Sequence, residues 1–133
     1  MSVKAMTNLV AYRGGVGQWS FILHRLTGLG ILLFLVIHVV DTSTVFFFPS
    51  LYADAIAIYR SAPFMIGEIF LVFSVIYHGV NGIRIAIFDL AFLKYWETKP
   101  QHNSAIWTLV IAIVLWLPAA FIMGRNVLEK LGF

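Results

Sequence analysis

The sequence predicts an all-α membrane protein, three transmembrane helices in a bundle that a partner subunit completes. Composition comes first: 61% of the 133 residues are hydrophobic and 11% charged, with a mean hydropathy of +0.92, against roughly 45–50% apolar residues in soluble domains. Second, three apolar stretches each reach the ~20 residues that a helix needs to cross a bilayer core. Third, the connectors between them are short, so the chain has little polar surface of its own and calls for a partner. Residues 1–133 read as a single transmembrane domain, with an N-terminal arm over 1–19 and spans at about 21–48, 64–93 and 104–123.

The arm, "MSVKAMTNLVAYRGGVGQWS", has no short apolar core followed by a small-residue cleavage site, so it does not read as a cleaved signal peptide. The first span follows. Between the first and second spans, Pro49 and Pro63 punctuate a short segment suited to an interfacial helix. "KYWETKPQHNS" is a polar connector to the third span, with a helix cap expected at Asn103 or Ser104. Pro118 inside the third span removes a backbone donor and is expected to kink it. Trp19, Tyr95 and Trp96 sit where interface anchors belong, and Trp107 and Trp116 are expected to face lipid.

Charge and cysteine usage exclude several classes of function. The chain has no cysteine, so it holds neither a disulfide nor a thiolate-bound zinc or iron–sulfur cluster, and any metal must rest on His, carboxylate or a partner. The net charge of +3 is spread without a run of like charges, which gives no footprint for nucleic acid. Lys4, Arg13, Arg25, Arg84, Lys94 and Lys99 fall on one side of the membrane, against Arg60, Arg125 and Lys130 on the other. Basic residues favour the inner side, so the N-terminus is expected inside and the C-terminus outside.

Ionisable residues inside a span are costly and usually face a cavity, a cofactor or another helix. His78 lies near the middle of the second span, about 14 residues from either end, too deep to snorkel to the headgroups. Two readings stay open: the imidazole ligates a haem iron, or it hydrogen-bonds a neighbouring helix. Gly79 and Gly82 beside it clear room for a macrocycle or for a closely packed helix. Asp89 is 11 residues on, close to three turns, and shares the face of His78 near the inner surface, whereas Arg84 is turned away. Both suit a propionate or quinone environment near the inner interface, and equally a structural ion pair or a headgroup contact. His24 and His38 are 14 residues apart on one face of the first span. His38 is a candidate ligand for a second haem, or bonds a backbone or headgroup. His24 and Arg25 mark the inner end, where cations meet propionates, a quinone carbonyl or lipid phosphate. Glu68 reads as an interfacial carboxylate. No phosphate loop, nucleophile triad or carboxylate pair stands out.

Two motifs taken together resemble a known family. "SFILHRLTG", Ser20 to Gly28, followed about fifty residues later by "HGVNGIRIAIFD", His78 to Asp89, resembles the cytochrome b membrane-anchor subunits of succinate dehydrogenase, respiratory complex II. Order, spacing, length and span number agree over nearly the whole chain. The resemblance implies that His78 is an axial ligand to haem b, with the opposite ligand on a second membrane-anchor subunit. It implies that Ser20 and Arg25 belong to the quinone site, that His24 and Arg25 lie near the haem propionates, and that Arg84 and Asp89 belong to the vicinity of both. Ser20 is four residues before His24, one more than in some members, and one residue turns a side chain by about 100°. His38 is outside the shared pattern. FAD and iron–sulfur clusters are implied only on a flavoprotein subunit and an iron–sulfur subunit, where succinate is oxidised, and the expected location is the bacterial cytoplasmic membrane. The competing readings are a haem-free membrane anchor, and a small proton-conducting subunit in which His38, His78 and Asp89 line a path.

Overall fold

A computed structural model describes residues 15–91 and 98–132. Four helices follow in chain order: α1 (Val16–Phe47), α2 (Pro49–Tyr59), α3 (Ala62–Ala91) and α4 (Thr98–Leu131), with no strand among the described residues. Three of them, α1, α3 and α4, are long and apolar enough to cross a membrane, as the composition predicts, and α2 is the short helix between prolines.

The boundaries have local causes. α1 begins about five residues before the expected start, with the Gly15 carbonyl accepting from the amides of Gln18 and Trp19 at 2.9 and 3.4 Å. It ends where Pro49 supplies no amide to continue the ladder. Phe48 alone makes the turn: its amide donates to the Thr44 carbonyl at 2.7 Å, and its carbonyl accepts from Leu51 and Tyr52 at the start of α2. Pro49 is then the first residue of α2, where a missing amide costs nothing. α4 starts at Thr98, ahead of the expected cap at Asn103 or Ser104, because Pro100 lies in its first turn and first-turn amides have no intrahelical acceptor. The helix runs on through Pro118 to Leu131, so its last two turns carry Arg125 and Glu129, an exposed i,i+4 ion pair at 3.4 Å that contributes little to stability.

α1 has apolar residues on every side, which marks a span rather than a surface helix. Its hydroxyls are consumed locally: Thr42 donates to the His38 carbonyl at 2.6 Å, Ser43 to Val40 at 2.6 Å and Thr44 to Asp41 at 2.6 Å. This back-bonding satisfies a hydroxyl where water is absent.

α3 and α4 form the most extensive helix pair. On α4, Ala105, Thr108 and Ala112 are buried at helical spacing, and small side chains let two backbones approach closely where the hydrophobic effect cannot drive association. One turn beyond Ala112, Trp116 corrects the expectation that it faces lipid: it is half-buried, its indole N–H donates to the Ile69 carbonyl at 3.0 Å, and its ring meets Phe73 edge-on. The reason is the N–H, a donor that finds no partner among acyl chains. Trp107 and Trp19 are exposed; Tyr95 and Trp96 lie outside the described residues. α1 packs on α3 by its N-terminal half, while the stretch from Leu32 to Val40 leaves its large apolar side chains exposed.

Ala112 is fully buried and Val114 is 59% exposed. Ala112→Leu is expected to destabilise the bundle by about 1–3 kcal/mol through overpacking, while Val114→Leu stays near neutral; unfolding of the purified membrane complex in increasing denaturing detergent measures both.

Candidate functional site

The polar residues of the two motifs meet along one seam. On α1, Ser20, His24, Thr27 and Gly28 recur at intervals of four, three and one, so they form a single stripe. On α3, Tyr77, His78 and Asn81 face it. Both lie toward the N-terminal end of α1, as the motif spacing requires for antiparallel neighbours.

The upper part of the seam is a three-residue cluster. Ser20, Tyr77 and Asn81 are 7%, 1% and 0% exposed. The Ser20 hydroxyl donates to Asn81 Oδ1 at 3.2 Å, and the Tyr77 phenol, 3.1 Å from Ser20 Oγ, donates to the Ser20 carbonyl at 3.2 Å. Each interhelical bond of this kind contributes about 0.6 kcal/mol in a membrane. Their combined effect is to fix which turn of α1 faces which turn of α3.

One turn along, the imidazoles of His24 and His78 are stacked, with centroids 4.0 Å apart and planes 5° from parallel. His78 Nδ1 is 3.0 Å from the His24 carbonyl oxygen and 3.5 Å from Thr27 Oγ1. A carbonyl can only accept, so this bond assigns the proton of His78 to Nδ1 and leaves the lone pair on Nε2. Thr27, buried, donates back to the carbonyls of Leu23 and His24 at 2.8 and 3.0 Å. The ring of His78 fits because residue 28 is glycine: a Cβ there would be 2.7 Å from Cε1. The glycines that the sequence singles out behave otherwise, since a Cβ on Gly79 would meet nothing within 4 Å and one on Gly82 only His24 Cε1 at 3.9 Å.

The remaining expected residues separate into groups. Arg25 is exposed, with its guanidinium 4.3 Å above the Phe21 ring, and so faces away from the buried Ser20. Arg84 is turned toward α4, donating to the Gln101 carbonyl at 3.4 Å and to Ser104 Oγ at 3.3 Å. A shallow cleft there is lined by Arg84, Ile85, Phe88, Asp89 and Gln101. His38 is exposed, near-parallel to the Phe34 ring at 5.3 Å, and lies about 21 Å along α1 from His24 at 1.5 Å per residue. Glu68 is exposed, as an interfacial carboxylate would be. Reading the sequence missed Tyr77, Asn81, Thr27 and Gly28 as site residues. Asn81 carried a signal: an amide three residues from His78 inside a span needs a polar partner.

Among the described residues no group of three or more His, Cys, Asp or Glu could hold a metal ion. The residues present fit a haem on two counts. His78 has the arrangement of a ligating imidazole, one nitrogen held by a backbone carbonyl and the other free to ligate. Next to it His24 Nδ1 is buried without a hydrogen-bond partner among the described residues, and on the α4 side so is Arg84 Nε, whose N–H can donate to an anionic or accepting group.

The chain matches the family model described as succinate dehydrogenase/fumarate reductase transmembrane subunit over residues 4–120. It is similar to the succinate dehydrogenase 2 membrane subunit SdhC of Mycobacterium tuberculosis, with 30% identity over 120 residues covering 89% of this chain and 85% of that relative. Three membrane-spanning helices, a polar seam at the end where both motifs converge, and a match over most of the length agree: the chain belongs to the succinate dehydrogenase/fumarate reductase transmembrane subunit family.

Proposed function

We propose that this chain is the haem b-binding membrane anchor of a succinate:quinone oxidoreductase, forming the quinone site and docking a flavoprotein subunit and an iron–sulfur subunit beside a second membrane anchor. The observation that carries the reading is the Nδ1 bond of His78 to the His24 carbonyl. It holds the imidazole in the tautomer that a metal ligand needs. His78 Nε2 would be the nitrogen through which this chain holds the haem iron, and the second anchor would supply a further ligand. When bound, haem b supplies a one-electron store within the membrane.

The work of this chain's own side chains follows from their placement. His24, with an unpartnered buried Nδ1, and Arg25 would be the residues of this chain that meet the haem propionates. Arg25 is free to project beyond the helix surface, and a guanidinium near a quinone oxygen stabilises the negative charge that reduction develops there. Ser20 would border the quinone site from the seam between α1 and α3, its hydroxyl already committed to Asn81, whereas Arg25 would reach it from another face of α1. Arg84 and Asp89 line the neighbouring cleft. Because the chain has no cysteine, iron–sulfur clusters belong to a partner subunit; succinate oxidation is assigned to the flavoprotein subunit, both docked on the inner face of a bacterial cytoplasmic membrane with the N-terminus inside.

The same hydrogen bond favours a second reading, a haem-free anchor, since it already satisfies His78 by helix packing. Reduced-minus-oxidised spectra of the purified complex separate the two. A b-type band with stoichiometric haem is expected, and its absence overturns haem ligation.

Substitutions test the individual roles. His78→Ala is expected to lose haem, measured as haem per complex against covalent flavin, and full retention removes His78 as the ligand. Arg25→Ala is expected to lower quinone reduction about 100-fold while leaving succinate oxidation with a soluble artificial acceptor unchanged. Equal quinone reductase rates in wild type and variant remove Arg25 from the quinone site.

A further inference from the structure

The slot that receives His78 is built by α1, not by the helix that carries the histidine. In a helix the carbonyl of residue i points along the axis toward residue i+4, whose side chain normally covers it. Residue 28 is four after His24 and has no side chain, so the His24 carbonyl lies open to the Nδ1–H of His78 at 3.0 Å. The clearance is specific. A Cβ at residue 28 would be 2.7 Å from His78 Cε1 and 3.1 Å from Nδ1, whereas one at Gly30, two residues on, meets nothing within 4 Å. Glycine inside a helix costs about 1 kcal/mol relative to alanine, and at position 28 the close approach of the ring offsets it.

Thr27 completes the slot. It is 5% exposed, and with its proton given to the Leu23 and His24 carbonyls its remaining lone pairs lie 3.5 Å from His78 Nδ1. Two acceptors thus flank one imidazole nitrogen, and none of the hydrogen bonds within the described residues reaches Nε2.

Resting on the reading of His78 as a haem ligand, we propose that Thr27 and Gly28 are positioning residues for that ligand: Gly28 admits the ring to the His24 carbonyl, and Thr27 holds the Nδ1–H tautomer and the ring's rotation about its bond to α3. Outer partners of this type tune both the hold on a metal and the basicity of the ligating nitrogen.

The test uses the complete membrane complex carrying Gly28→Ala, Gly30→Ala, Thr27→Val or Thr27→Ser, with haem counted against covalent flavin. Gly28→Ala is expected to lower haem occupancy about 10-fold or more, and Gly30→Ala to leave it at the wild-type level. Thr27→Val keeps the volume and removes the hydroxyl; it is expected to retain haem with altered ferric electron paramagnetic resonance g-values and a shifted midpoint potential, both restored by Thr27→Ser. If Gly28→Ala fails to assemble, the Thr27 pair decides. Wild-type haem content and an unchanged resonance spectrum in Thr27→Val overturn the proposal, as does equal haem loss in Gly28→Ala and Gly30→Ala. A wild-type complex without haem overturns the ligand reading itself and the positioning with it, whereas haem-replete, spectrally unchanged variants overturn the positioning alone.

Discussion

The bond between His78 Nδ1 and the His24 carbonyl is the constraint on which the arrangement of this chain turns. An imidazole within an apolar span is shielded from water, and an unmet polar group there costs several kcal/mol. Its partner must come from a neighbouring helix whose side chains are thin enough to allow a backbone contact. The stripe Ser20, His24, Thr27, Gly28 provides that thinness together with acceptors. Once the ring is seated, the register of α1 against α3 is fixed to within one turn, and the Ser20–Tyr77–Asn81 cluster locks it from the adjacent turn.

The bundle therefore has two kinds of seam. Between α3 and α4 the contact is small and apolar, through Ala105 and Ala112, with Trp116 donating to a backbone carbonyl at its far end. Dispersion in close packing holds that pair. Between α1 and α3 the contact is polar and short, confined to the end of the bundle where both motifs lie, and α1 leaves it with the remainder of its length apolar and exposed. A helix packed at one end and bare along the rest presents that stretch to lipid tails or to another span, both of which suit an apolar surface inside a bilayer.

How much of this could be read in advance depended on whether a signal was local. Span number and the short helix between prolines follow from hydropathy and from Pro49, whose effects are confined to its own neighbourhood. The helix starts differ by several residues because polar residues such as Gln18 and Gln101 continue a helix past the apolar window that reveals a span. His78, His24 and Arg25 stood out because charge or an imidazole is rare in a span. Gly28 did not, since a glycine near a helix end has many uses and its partner is fifty residues away. The same non-locality hid Trp116: nothing in its sequence neighbours shows that the Ile69 carbonyl lies within reach of its N–H.

His78 and His38 differ for the same physical reason. Both are histidines inside apolar helices, and residue type alone ranks them equally. A ligating imidazole, however, must present a lone pair in a fixed direction, and what fixes it is the bond made by its other nitrogen. His78 has that bond, with a threonine beside it and a glycine making room. His38 has an exposed ring resting on Phe34, and its neighbour Thr42 spends its hydroxyl on the His38 carbonyl rather than on the ring. For His38 to ligate a second haem, another chain would have to supply the orienting acceptor that α1 itself provides for His78. Of these two histidines, only His78 is oriented by the fold's own contacts.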